Sequence, residues 1–192
     1  MEEYREISLK ELFVCIWDKF WIIALTTIVF GVAAFLITEY IIVPQYEATI
    51  SMYVNNKTEA ATSLTTSDVA AAKSLVDTYI TIIESNSVLE DIVANASFEC
   101  TTAQIKTMMD AKSLNGTEVF EVSITTDSPD KSAEIANLLA KLAPNKISEI
   151  VDGSSVKIID KAKVPTEPVS PSVSKNVAIA CLDSFFVALL LF

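Results

Sequence analysis

Between Phe20 and Thr38 the chain reads FWIIALTTIVFGVAAFLIT, nineteen residues without a charge. A helix of that length spans about 28 Å at about 1.5 Å per residue, close to the hydrocarbon thickness of a bilayer. No other feature restricts the fold as much, because backbone in hydrocarbon must satisfy its own hydrogen bonds. Lys19 and Glu39 bound the run, and Trp17, Trp21 and Tyr40 stand near its ends, where amphipathic rings favour the interface. A buried core helix and a cleaved signal peptide are the competing readings. The run exceeds the usual signal core, a charged leader of 19 residues precedes it, and no convincing small-residue cleavage site is visible. A true span is expected.

A second apolar run, NVAIACLDSFFVALLLF, covers Asn176 to Phe192, seventeen residues that include Asp183. A bilayer carboxylate costs about 2.5–3.5 kcal/mol unless it finds a partner or water. In one reading Asp183 meets Thr26 or Thr27 of the first span, or a neighbouring subunit. In the other it lies close enough to the interface to stay hydrated, which the shortness of this helix favours. The leader carries Arg5, Lys10 and Lys19 but also five acids, a weak orientation signal. Long loops cross regardless of charge, so the region from Pro44 to Lys175 is placed outside and both ends in the cytoplasm. The expected layout is a cytoplasmic leader 1–19, a transmembrane helix 20–43, an extracytoplasmic domain 44–163, a proline-rich membrane-proximal linker 164–175 and a second transmembrane helix 176–192.

Composition limits the chemistry. Half the residues are apolar and the formal net charge is −11. Such a balance argues against nucleic acid as a partner and against broad capture of an acidic polymer. There is no histidine, so the commonest general base and metal ligand are missing. Cys15, Cys100 and Cys181 lie far apart, form no CxxC pair and predict no disulfide within the middle domain. A Ser–Lys pair stays open, but paired acids such as Glu90-Asp91 read more simply as a solvated helix face. No enzyme, cofactor or metal site is expected.

The middle region alternates from Tyr46 to Val54, a half-buried strand. A polar loop (55–66) follows, then an amphipathic helix (68–84) with Ser67 as its N-cap. Asn86 or Ser87 is expected to cap a helix at 88–95, and Thr101 or Thr102 one at 103–110. Asn115-Gly116 predicts a hairpin joining strands at 111–114 and 118–125. Ser128-Pro129 reads as N-cap and N1 of a helix with Ile135, Leu138, Leu139 and Leu142 on its apolar stripe. Pro144 should kink or split that helix, with Ile147 and Ile150 continuing beyond it. Asp152-Gly153 turns the chain into a last strand at 156–160. The predicted class is α+β, with helices packed on one face of a mixed sheet. Sequons at Asn56, Asn95 and Asn115 read as chance occurrences.

Before the second run, Pro165, Pro168 and Pro171 repeat every three residues, the period of polyproline II. They predict a stiff extended rod, either a spacer or an element that packs the domain against the second span. Tyr46-Glu47-Ala48-Thr49 soon after a first span, Val164-Pro165-x-x-Pro168-x-x-Pro171-Ser172 before a second, and a leader with Tyr4, Ile7, Leu9 and Leu12 ahead of Trp17 together resemble the chain-length-determinant (Wzz) family. The short outer domain is most similar to Gram-positive capsule members, which pair with a separate cytoplasmic tyrosine kinase. The resemblance implies a non-enzymatic homo-oligomer that sets how long capsular or exopolysaccharide chains grow. It implies as partners the polysaccharide polymerase, the growing glycan, the lipid bilayer and the kinase. The chain departs from the pattern at its end: no glycine follows Gly153, and no charged tail follows the second run. A sequence cut short and a form without the activating tail are both open, and the departure bears on kinase activation. In the membrane, Gly31, Ala33 and Ala34 offer close helix contact. A two-span sensor or ligand-binding protein is the alternative, and it lacks a recognisable output domain.

Overall fold

The computed structural model describes residues 9–55, 76–114, 117–151 and 154–191. Contacts divide the chain into two compact units. One holds the stretch up to Val43 together with the stretch from Ser170; the other runs from Pro44 to Val169.

The first unit is a pair of helices, α1 (Leu9–Tyr40) and α6 (Val173–Leu191). α1 begins within the predicted leader and ends at Tyr40, three residues short of the predicted 43. Among the described residues one segment, Lys19–Tyr40, is long and apolar enough to cross a membrane. Most of its large side chains point outward: Trp21 is 84% exposed and Leu25 63%. The core helix of a soluble protein would bury them.

The second unit is α+β. Its strands are β1 (Tyr46–Asn55), β2 (Met109–Ser113), β3 (Val119–Thr126) and β4 (Ser155–Asp160), in the order β2-β3-β1-β4. Its helices are α2 (76–83), α3 (Asn86–Asn95), α4 (Thr102–Met108) and α5 (Pro129–Ile150). Alternation in β1 puts Ala48, Ile50, Met52 and Val54 into the core, and in β3 it does the same for Phe120, Val122 and Ile124. α5 packs on β1, β3 and β4, and α3 packs on α5 and α4. On the other face Glu47, Asp110, Lys112, Lys157 and Ile159 are exposed, so the helices do lie on one face. Thr49 and Ser123, cross-strand partners on that open face, share a hydroxyl hydrogen bond of 2.8 Å.

The sheet is not mixed: β1 pairs antiparallel with both β3 and β4, and β2 pairs antiparallel with β3. The β3-α5-β4 crossover does make two strands parallel, as a helical crossover should. β1 lies between those two strands and separates them, so no adjacent pair is parallel.

Local boundaries differ for identifiable reasons. α3 begins at Asn86 with Ser85 as N-cap, and Ser85 makes no side-chain cap bond; Asn86 and Ser87 lie inside the helix. α4 is capped by Thr101, whose hydroxyl accepts from Gln104 N while the Gln104 carboxamide oxygen accepts from Thr101 N, a reciprocal capping box. It stops at Met108, because Met109 and Asp110 pair with Ile124 and Ser123 as the start of β2. Ser128 and Pro129 open α5 as predicted, although the Ser128 side chain makes no cap bond. Pro144 does not split α5: burial of Ala140, Ala143 and Ile147 on either side of it carries the helix past the missing donor. Ile150 is 58% exposed and leaves the apolar stripe, while Ala133, Ala136, Ala140 and Ala143 join it. The loop and helix start at 56–75, the Asn115-Gly116 and Asp152-Gly153 turns, and Asn56 lie outside the described residues. The hairpin flanking Asn115-Gly116 is formed, with Leu114 N donating to Val119 O at 2.9 Å.

Candidate functional site

In the helix pair, Gly31 of α1 lies against Cys181 of α6. A Cβ there would come within 2.9 Å of Cys181 Sγ, so only glycine fits without movement. Ala34 is half-buried, whereas Ala33 faces outward. Thr26 Oγ1 donates to the carbonyls of Ile22 (3.0 Å) and Ile23 (2.9 Å), and Thr27 Oγ1 donates to Ile23 O at 2.9 Å. Both threonines therefore satisfy their hydroxyls on their own helix. Asp183 is exposed. It shares a hollow of about 590 Å³ with Thr26, Ile22, Phe30, Ala180 and Val187. The structure brings Asp183 and Thr26 to one hollow, makes no hydrogen bond between them, and leaves Thr27 outside it.

Pro165, Pro168 and Pro171 do not form a straight rod. The chain bends at 166–167 and again at 169, and the Ser170–Pro171 peptide is cis. Within the second unit, Val169 N donates to Gln45 O at 2.8 Å, so the exit of that unit is tied to its entrance. This anchoring, rather than polyproline geometry, sets the path of the segment that carries Pro165 and Pro168.

The second unit also holds a cleft of about 490 Å³ at one end of its sheet. Four separate segments build it. Gln45 precedes β1; Phe98, Glu99 and Cys100 lie between α3 and α4; Gln104, Thr107 and Met108 belong to α4; Thr125, Asp127 and Lys131 come from the end of β3 and the start of α5. Three of these segments are held from behind. Glu134 on α5 accepts from Ser97 N at 2.7 Å and from Ser97 Oγ at 2.6 Å, fixing the segment that carries Phe98. Ser132 Oγ donates to Tyr46 O at 2.7 Å and lies 2.8 Å from Thr126 Oγ1, joining α5 to the ends of β1 and β3. Lys131 Nζ stands 3.3 Å from Asp127 Oδ1 and 5.5 Å from the centre of the Phe98 ring. Burial, and then the negative charge of Glu134, push the Cys100 thiol above its ordinary range. Sequence reasoning missed this cleft; its only local trace was Thr101 as a helix cap.

An antiparallel α+β unit joined to a helix pair, one member of which is long and apolar enough to cross a bilayer, fits a membrane-associated protein. The chain-length-determinant protein (Wzz) family model matches residues 5–96. Capsular polysaccharide biosynthesis protein CpsC of Streptococcus pneumoniae is 30% identical over 178 residues, covering 92% of this chain and 77% of that protein. CpsC of Streptococcus agalactiae is 28% identical over 174 residues, covering 91% and 76%. Probable capsular polysaccharide biosynthesis protein YwqC of Bacillus subtilis is 27% identical over 175 residues, covering 90% and 71%. The chain belongs to the chain-length-determinant (Wzz) family, and within it to the group of Gram-positive capsule proteins.

Proposed function

We propose that this chain is a non-enzymatic membrane regulator of capsular or exopolysaccharide assembly, controlling how long the polymer grows and modulating a cytoplasmic tyrosine kinase. The observation that carries the reading is the likeness to CpsC proteins along nine-tenths of the chain. A match of that length is longer than the Pro44–Val169 unit, so the likeness is not confined to that unit. In this reading both α1 and α6 cross the membrane, with both ends in the cytoplasm and the Pro44–Val169 unit outside. Copies assemble side by side as a homo-oligomer around the polymerase and the growing glycan. The regulator acts by holding and spacing these partners, which asks for docking surfaces and no catalytic group.

Deleting the gene in its host and sizing the polymer by gel electrophoresis tests the reading. A shifted length distribution, restored by the gene in trans, is expected; unchanged polymer length overturns chain-length control. Co-expression with a capsule-type tyrosine kinase from the same host should raise that kinase's phosphotyrosine content, and an unchanged level removes the kinase from the proposal. Topology is checked by labelling Cys100 with an impermeant maleimide on intact cells. Its raised thiol value calls for mildly alkaline buffer. Labelling only after the cytoplasm is opened would reverse the orientation.

A further inference from the structure

We propose that the cleft walled by Phe98, Gln104 and Glu99 is a binding site for an uncharged saccharide unit, which deepens the function proposed above and rests on it. The volume of about 490 Å³ falls within the range of small-ligand pockets. Its chemistry suits a sugar, which presents a C–H face to apolar rings and a rim of hydroxyls to amides and carboxylates. Phe98 and Met108 supply apolar surface. The side chains of Gln45, Glu99 and Thr125 line the cleft and make no hydrogen bond to other described residues.

Gln104 is the sharpest element. Its carboxamide oxygen is occupied by Thr101 N at 2.9 Å and by Thr101 Oγ1 at 3.1 Å. The capping box therefore holds the side chain in place and leaves its NH2 group as a fixed donor in the cleft wall. A donor fixed before binding loses little rotamer freedom when a ligand arrives.

Charge sets the class of sugar. Lys131 is matched by Asp127, and Glu99 and nearby Glu134 then leave the cleft net negative. Uronic, sialic and phosphorylated sugars meet repulsion there, whereas neutral hexoses and N-acetylhexosamines do not. The net charge of −11 pushes the same way at longer range.

The test uses the full chain in detergent micelles and saturation-transfer NMR. Lactose and N,N′-diacetylchitobiose are the neutral probes and the hyaluronan disaccharide is the acidic one. Transfer to the ring protons of at least one neutral probe, and none to the acidic probe, is expected. Gln104→Glu retains the cap, because glutamate serves at that position of a capping box, but it replaces the donor. It should weaken neutral-sugar binding about five- to tenfold with an unchanged circular dichroism spectrum. Phe98→Ala should remove the transfer signal. No transfer to either neutral probe, equal transfer to the acidic one, or binding indifferent to both variants overturns the proposal. Polymer sizing in a deletion strain separates this failure from that of the proposed function. If wild type and Gln104→Glu restore length equally, the cleft is set aside and the regulator stands. If deletion itself changes nothing, the regulator falls.

Discussion

The two compact units treat the same kind of side chain in opposite ways. In the Pro44–Val169 unit, Ile50, Met52, Phe120 and Leu139 are fully buried. In the helix pair, Trp21, Leu25, Phe30 and Phe186 are mostly exposed, and among the described residues the buried positions are small or short groups, Gly31, Thr38, Ser184 and Ala188, apart from Ile23. Water drives the first arrangement, since apolar area removed from it stabilises the fold. A lipid solvent suits the second, where large apolar groups face outward and small ones let helices approach. Apolar content separates the units, and so does the placement of large and small residues.

The largest effect that can sharpen this contrast is in the sheet core. Phe120→Ala should lower the stability of the second unit by about 3–5 kcal/mol, read from urea unfolding in micelles. Val29→Lys, at an outward position of α1, should cost about 2.5–3.5 kcal/mol of membrane insertion. It should shift chain from the membrane fraction to the soluble one while the melting of the second unit stays unchanged. A Val29→Lys chain that keeps full membrane partition but melts early would break the contrast. Ser132→Ala should cost about 1–3 kcal/mol, because it strips the Tyr46 carbonyl and the Thr126 hydroxyl of a buried partner.

The smallest effect concerns Lys146, which bridges α5 to Asp91 of α3 at 3.1 Å. Its ammonium is raised above the ordinary 10.5, first by the hydrogen bond to Asp91 and then by that residue's charge. The raised value belongs to the folded state, so the bridge contributes fully below 10.5 and is lost as pH rises through the raised value. Lys146→Met should lower the neutral region of a stability–pH profile slightly and flatten its alkaline limb, the two profiles converging as pH rises through the raised value.

Much of this was legible in the residues, and the reasons are physical. A charge-free run of nineteen residues has few alternatives to a helix, and α1 followed. Strict alternation announced β1, and Ser128-Pro129 announced α5. Features set by distant partners were not legible. Met109 and Asp110 continue a helical pattern locally, and only their pairing with β3 turns them into strand. The antiparallel sense of the sheet depends on β1 inserting between β3 and β4, which periodicity within a strand does not encode. The proline spacing suggested a rod, but a single hydrogen bond from Val169 to Gln45 redirects the chain. The cleft was least visible of all, because its walls come from four segments and its polarity exists only once they meet. Of the membrane candidates, Asp183 and Thr26 reach one hollow, but the threonine hydroxyl prefers its own helix, a choice made by backbone carbonyls that hydropathy does not register.

The tie between Gln45 and Val169 has a mechanical consequence. A unit whose entrance and exit are stapled together behaves as a closed module. Tension applied through the flanking segments loads that staple first and the sheet afterwards, as a clasp takes the strain before the bag. The same closure makes residues 45–169 a transplantable cassette: new termini opened between Leu114 and Thr117, with the old ends joined, should yield a permuted unit that keeps the sheet order β2-β3-β1-β4.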